Sequence, residues 1–385
     1  MSGSKVLILA GEASGDLHAA SLIKALRKRS PHLDITCVGG EKMKAAGATV
    51  LVPSSQLSVV GLFEVFHHVR PIASAFIKVR RWMKKTRPDI VILVDFPEFN
   101  LMMASYAKSL GLKVFYYISP QVWAWRKRRV KKIKRCVDKM AVILPFEEEF
   151  FKEYGIDATF VGHPLLDSIT VDKIQDRPLK ESIGIGRGER LVCLLPGSRK
   201  GEIERHFPIM AEAASIIEDR FENLRFLVAL NSGTGADAKR FVRKVASGVS
   251  ANIHTVEAKT HEAIKASDIC IAASGTVTLE SAIIGTPVIV MYKVNPLSYA
   301  LGKKLIQVKW VSLVNLIAEK ELVPELLQNE ASPERIASNT LEILNDPVRQ
   351  SQIRSGFDQV VSRLGTPGAS KRAAGLIMEF MSKAP

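Results

Sequence analysis

Short, almost unbroken apolar runs, each followed by an amphipathic stretch, recur along the whole chain, and this alternation limits what it can fold into. Residues 5–10 (KVLILA), 89–94 (DIVILV), 114–118 (VFYYI) and 140–144 (MAVIL) form a first set. Residues 191–195 (LVCLL), 224–230 (LRFLVAL), 269–273 (ICIAA) and 287–291 (PVIVM) form a second. A run that is apolar at nearly every position, rather than at every second one, reads as a strand covered on both faces. The intervening stretches carry helical spacing, as Leu22, Ile23 and Leu26 do after the first run. Strands alternating with helices through right-handed crossovers build parallel, doubly wound sheets. The expected fold is α/β, with two Rossmann-like domains facing each other across a cleft.

The alternation breaks between the two sets, where the chain turns polar and gains Gly and Pro. The predicted division is therefore a first domain over 1–166, a linker over 167–189, a second domain over 190–365 and a C-terminal helix over 366–385 that either packs back on the first domain or exchanges with a partner. The length of 385 residues suits two domains. From about Pro333 onward the pattern is helical only. Ligands of such folds bind outside the carboxyl ends of the strands.

Charge is distributed unevenly. The chain carries 54 Lys and Arg against 39 Asp and Glu, a net of +15. Residues 1–165 hold 26 of the basic and 14 of the acidic side chains, so most of the excess lies there. A basic half of this kind favours an anionic partner. Eight of the ten residues in 126–135 (RKRRVKKIKR) are basic, and on a helix only Val130 and Ile133 would face inward. No helix-turn-helix, RRM or KH pattern accompanies them, so nucleic acid is not an expected partner. The four cysteines are widely spaced and form no CxxC pair, which fits a reducing compartment. No apolar run reaches the ~18 residues of a spanning helix, so the expected protein is soluble or peripherally attached. Residues 57–82 are rich in Val, Ile, Phe and Leu, with Arg and Lys interleaved, the composition of an interfacial helix. Phe63, Phe66, Ile72, Phe76 and Trp82 are its candidate membrane contacts; the alternative is that the stretch forms buried core helices.

Five loops at predicted strand ends carry groups suited to chemistry. Gly11-Glu12-Ala13-Ser14-Gly15-Asp16 follows the first strand, and its small residues admit a ligand to the backbone at a helix start. It is neither a Walker A loop nor GxGxxG. The alternative reading is a tight turn with Asp16 as N-cap. Asp95-Phe96-Pro97-Glu98-Phe99-Asn100 places two carboxylates at a strand end, as a general base facing a cleft requires; one of them can instead cap the helix that Pro97 begins. Ser119-Pro120-Gln121-Val122-Trp123-Ala124-Trp125 offers indole rings to a sugar or an acyl groove, or core anchors. Gly197, Ser198 and Arg199 form a turn with a guanidinium fork for a diphosphate. Ser274, Gly275 and Thr276 lead into a helix whose N–H groups can meet a phosphate, and Glu280, one turn further, can accept both hydroxyls of a ribose. No Asp-x-Asp occurs, which argues against a nucleotide sugar held through a divalent metal. No metal site and no cofactor are expected.

In order and spacing these motifs resemble the lipid-A-disaccharide synthase family: GEASGD at 11–16, 95–100, SPQVWAWR at 119–126, FVGHP at 160–164, LPGSR at 195–199, SGTVTLE at 274–280 and VSLVNLI at 311–317. The resemblance covers nearly the whole chain. It implies a GT-B fold whose C-terminal half holds UDP, and an inverting glycosyltransferase without a metal. The implied reaction joins UDP-2,3-diacylglucosamine to 2,3-diacylglucosamine 1-phosphate (lipid X) at the cytoplasmic face of the inner membrane, against anionic phospholipid. It also implies Glu98 or Asp95 as the base and Asn315 as a catalytic amide. The UDP site would be Gly197, Ser198, Arg199, Ser274, Gly275, Thr276 and Glu280, and the acceptor loops Gly11, Glu12, Ser14, Gly15, Asp16, Asn100 and Trp123. The sequence departs from the family pattern at Glu98, where Asp is usual, at Val314, where Pro is usual, and at His18-Ala19-Ala20 in the first helix. Another UDP-sugar enzyme of the same architecture, such as a 2-epimerase, is the alternative. Oligomeric state stays open.

Overall fold

The computed structural model describes residues 3–57, 65–124, 129–186, 188–221, 223–295 and 308–383, with residues 13 and 65–70 described by backbone alone. The chain divides into two compact units, Met1–Asp167 with Leu364–Pro385, and Ser168–Arg363. Each is a parallel α/β sheet with helices on its faces.

In the first unit the strands are β1 (Lys5–Ala10), β2 (Asp34–Gly39), β3 (Thr49–Pro53), β4 (Ile90–Val94), β5 (Lys113–Tyr117), β6 (Lys139–Val142) and β7 (Ala158–Phe160). They lie in the order β3-β2-β1-β4-β5-β6-β7, all parallel. The helices α1 (Ala13–Arg29), α2 (Glu41–Ala45), α3 (Val65–Thr86), α4 (Pro97–Ser109), α5 (Val130–Cys136) and α6 (Glu147–Glu153) provide crossovers and cover. β4 is buried at all five positions, which is why it carries no polar alternation. Side chains of β1 alternate between two cores. Leu7 and Leu9 join one with α3, α4 and α5 residues such as Val79, Met103 and Ile133. Val6 and Ile8 join the other with Leu22, Ile23 and Leu26 of α1 and Ala373 and Ile377 of the last helix, Ala369–Ser382. The chain's end thus packs in the first unit, and Lys113 Nζ donates to the carbonyls of Phe380 and Met381 there.

The second unit holds β8 (Arg190–Leu195), β9 (Leu224–Leu230), β10 (Ile253–Glu257), β11 (Ile269–Ala273), β12 (Val288–Tyr292) and β13 (Glu325–Leu327), in the order β10-β9-β8-β11-β12-β13, again parallel. The helices Pro333–Asn345 and Pro347–Arg363 close it. The four cysteines are free and buried. Among the described residues no helix is long and apolar enough to cross a membrane.

Each sheet reverses its winding once, between β1 and β4 in the first unit and between β8 and β11 in the second. The carboxyl ends meet there in register, Ala10 beside Val94 and Leu195 beside Ala272. Such a switch point leaves a crevice between loops that diverge to opposite faces.

Candidate functional site

Both switch points carry the loops that the sequence singles out. In the first unit, Gly11 follows Ala10 and Asp95 follows Val94. Asp95 and Phe96 are both left-handed, with φ of 48° and 50°. Two consecutive non-glycine residues in that region are strained, and the surroundings over-determine them. The Asp95 carbonyl accepts from the Tyr116 hydroxyl at 2.7 Å and from Asn100 Nδ2 at 2.6 Å. Asn100 Nδ2 also lies 3.3 Å from the carbonyls of Leu9 and Val94. Burial pushes the Tyr116 phenol well above its ordinary range, so it stays a donor. The turn ends β4 and starts α4 at Pro97.

Glu98 lies in the first turn of α4 with its side chain 68% exposed, and pairs with the guanidinium of Arg129, immediately before α5. Of the two carboxylates, Asp95 is thus held by backbone strain and Glu98 by an ion pair. Glu12 precedes α1 as its N-cap residue, half-buried, and Ser14 is exposed.

Several residues expected to touch ligand instead brace the loops. Asp16 does not cap its own helix. It is buried and accepts the N–H groups of Gly40 at 2.7 Å and of Lys42 and Met43 at 3.2 Å, capping α2 across the sheet edge. Asn100 has no exposed surface and serves the carbonyls just named. Trp123 is buried and donates from Nε1 to Glu147 at 3.0 Å, with its ring edge-on to Phe146. Asn315 has no exposed surface, and its amide is fully occupied. It donates to the Val323 carbonyl and Glu325 and accepts from the N–H groups of Leu322 and Val323, all at 2.8–3.0 Å. In this structure the Asn315 amide is committed to holding the 322–325 segment, with no exposed face of its own.

Sequence reasoning missed Glu147. It is 1% exposed and takes four donors: the Ser119 hydroxyl at 2.5 Å, Trp123 Nε1, and the N–H groups of Ile143 and Leu144. Burial raises its pKa, and these donors oppose the shift. It ties the loop after β5 to the end of β6. It sits in a run of three glutamates, and nothing in the run marks which one turns inward.

In the second unit, Gly197 has φ of 117°, and a Cβ there would lie 2.8 Å from that of Glu202. Glu202 accepts from the N–H groups of Ser198 and Arg199 at 3.1 and 3.2 Å, so in this structure a carboxylate occupies the donors expected to meet a diphosphate. The Arg199 side chain remains 64% exposed. His206, also missed, is fully buried. Its Nδ1 and Nε2 reach the carbonyls of Pro196 and Lys293 at 3.0 and 3.1 Å, joining the loops after β8 and β12. Ser274 Oγ donates to the Val311 carbonyl at 3.2 Å. Gly275 and Thr276 are exposed, and nothing lies within 4 Å of where a Gly275 Cβ would be, so the backbone is open to an approaching anion. Glu280 pairs with His261 at 3.2 Å.

Ile72, Phe76 and Trp82 are half-buried against the first core. Phe63 lies outside the described residues, as do Trp125 and residues 126–128, and of Phe66 only the backbone is described. Val130 and Ile133 are buried, as the basic run predicts. Among the described residues no group of three or more His, Cys, Asp or Glu could hold a metal ion.

Comparison with known proteins gives a consistent result. A family model described as lipid-A-disaccharide synthetase matches residues 6–378. The lipid-A-disaccharide synthase of Geobacter metallireducens is 42% identical over 98% of both chains, and that of Syntrophus aciditrophicus is 43% identical over 100% of this chain and 99% of its own. Among solved structures, a putative UDP-N-acetylglucosamine 2-epimerase from Listeria monocytogenes superposes with a TM-score of 0.71 at 15% identity, covering 100% of this chain and 98% of its own. CalG4, the calicheamicin glycosyltransferase, superposes with a TM-score of 0.61 at 14% identity, both chains being covered in full. At such identities the structural likeness establishes the GT-B fold alone.

Proposed function

The chain belongs to the lipid-A-disaccharide synthetase family and is an enzyme of that kind, and we propose that it transfers 2,3-diacylglucosamine from its UDP ester to the 6-hydroxyl of 2,3-diacylglucosamine 1-phosphate with inversion. The acceptor oxygen bonds to the donor's anomeric carbon as the bond from that carbon to the phosphate oxygen breaks. The acceptor's proton passes to Asp95 or Glu98, and UDP leaves with the electron pair of the broken bond. Attack from the face opposite the leaving group converts the α-linked donor to a β(1→6) disaccharide. Arg199 and the open N–H groups around Gly275 offset charge growing on UDP, the role a metal plays in other transferases.

The observation that carries this reading is the coincidence of motif and topology. The carboxylate loop and the glycine loop flank the switch point of one sheet, and the arginine loop and the Ser-Gly-Thr loop flank that of the other. One relative in fold, the UDP-GlcNAc 2-epimerase of Neisseria meningitidis, was solved bound to UDP-GlcNAc. That supports a uridine nucleotide in this chain too. Acylated substrates place the work at a membrane surface, on the cytoplasmic face, with the basic first unit against anionic lipid.

Incubation with the two acylated glucosamine substrates, with the product read by mass, tests the proposal. The disaccharide 1-phosphate and UDP should form in equal amounts, with full activity in excess EDTA. Absence of the disaccharide, or epimer formation from UDP-N-acetylglucosamine alone, overturns it.

A further inference from the structure

His261 has no part in the reading above. It lies in the first turn of the helix Thr260–Ala266, and Nε2 is 3.2 Å from Glu280 Oε2 on the helix Val277–Ile284. The backbone that presents it is anchored. Ala258, in the preceding turn, is left-handed at φ 57°, and Thr260 Oγ1 donates to Asn231 Oδ1 at 3.3 Å, just past the end of β9. Neither side chain is surface decoration, since Glu280 is 17% and His261 34% exposed. A glutamate has three side-chain torsions, and one hydrogen bond at Oε2 removes most of that freedom. Among the described residues no second hydrogen bond reaches the carboxylate. Oε1 and one lone pair of Oε2 stay available, enough for two hydroxyl donors.

We infer that His261 is a positioning residue that fixes the Glu280 carboxylate to receive the vicinal hydroxyls of the nucleotide's ribose. This rests on the reading of Glu280 as the ribose contact. The hydrogen bond to Glu280, and then the negative charges of Glu280 and Glu262, raise the affinity of His261 for its proton, which keeps the imidazole a donor on that side. A helix-to-helix staple would use the same pair. It would make the protein less stable when lost, without regard to which nucleotide is bound.

The test uses UDP and 2′,3′-dideoxy-UDP, which lacks both hydroxyls, titrated calorimetrically into the parent protein and three variants. His261→Ala should weaken UDP by about tenfold, the worth of a charge-assisted hydrogen bond, and leave the dideoxy nucleotide unchanged. His261→Gln, whose Nε2 can occupy the place of the imidazole Nε2, should recover most of the loss. In turnover, KM for the UDP-sugar should rise while kcat and the acceptor's KM hold. Equal weakening of both nucleotides by His261→Ala, or no weakening, overturns the inference. Glu280→Gln separates the two levels. If it discriminates between the nucleotides and His261→Ala does not, only the positioning role falls; if Glu280→Gln itself fails to discriminate, the ribose reading falls and this inference with it.

Discussion

The bare Cα of Gly11 backs directly onto the ring of Phe96, and a Cβ at residue 11 would stand 2.3 Å from a ring carbon. This contact joins the two loops of the first switch point. Phe96 directly follows Asp95 and both are left-handed, so a ring displacement that shifts the Phe96 backbone is expected to disturb Asp95. Gly11→Ala should cost about 1–3 kcal/mol through overpacking and lower kcat more than it raises the KM of either substrate. Gly15→Ala is the control, because a Cβ there meets its nearest neighbours only at 3.5 Å or beyond. Equal activity in the two variants would remove the mechanical link between Gly11 and the base.

Asp95 and Glu98 divide the proposed chemistry between a strained backbone and an ion pair. Replacing the residue that takes the proton should lower kcat by about 10²- to 10⁴-fold, with substrate affinity nearly unchanged. Asp95→Asn and Glu98→Gln, assayed separately, identify it. If Glu98 is the base, Arg129→Gln should also alter the pH profile of kcat, since Arg129 is its ion-pair partner. If both carboxamide variants turn over within a few-fold of the parent, neither is the base.

What the sequence made legible follows from burial. The central strands are apolar at nearly every position, so β1, β9 and β11 are read to the residue. β10 has no fully buried residue and β3 only one, so neither leaves a continuous apolar run. The glycine and carboxylate loops announce themselves because a strand end followed by Gly or Pro admits few conformations. The braces do not. Asp16 and Glu147 look like any first-turn acid, and only tertiary packing sends one to α2 and the other beneath Trp123. Asn315 carries the motif spacing of a functional amide, yet its side-chain partners are Leu322, Val323 and Glu325, seven to ten residues on, which no local pattern encodes.

Glu147 takes donors on both oxygens, so exchanging one oxygen for an NH2 group turns a donor against donors. Glu147→Gln should destabilise the protein by about 3 kcal/mol, the cost of breaking a buried charged network. Ser119→Ala should cost about 1 kcal/mol, since one donor is lost and three remain. Denaturant midpoints at constant m-value measure both. A stable Glu147→Gln protein would show that the network contributes little.

His18 and His163 set an acid limit. Burial, then the charge of Lys42, pushes His18 down to about 4, with Asp167 opposing. Burial, then His18, pushes His163 down to about 3. Unfolded, both protonate near 6.5. Between about pH 6.5 and about 3 the unfolded chain binds more protons at these two sites than the folded one, so stability is fully present above the window and falls as pH drops through it. His163→Asn retains an acceptor for the Leu165 N–H, which Nδ1 accepts at 3.2 Å. The variant should show a shallower decline of melting temperature with acid. A parent protein with flat stability across the window would contradict the prediction.

Among the described residues of α3, the face left for the proposed membrane contact is the outward one. Ala75, Val79 and Met83 form its buried stripe, with Ile72, Phe76 and Trp82 alongside against the core. The opposite face presents Ile77 at 48% exposure, with Lys78, Arg81, Lys84 and Lys85 exposed beside it. Phe76→Ser should therefore cost about 3 kcal/mol of stability and report on folding before it reports on lipid. Lys78, Arg81 and Lys85 replaced together by Gln should leave the melting temperature unchanged. Sedimentation with anionic vesicles should fall by about tenfold or more, at roughly 1 kcal/mol per basic residue near the surface. Ile77→Ser should remove a smaller part of the binding, one that salt does not screen. If the triple variant sediments like the parent, α3 is not the attachment face. If Phe76→Ser holds its melting temperature but releases the vesicles, the ring itself enters the lipid.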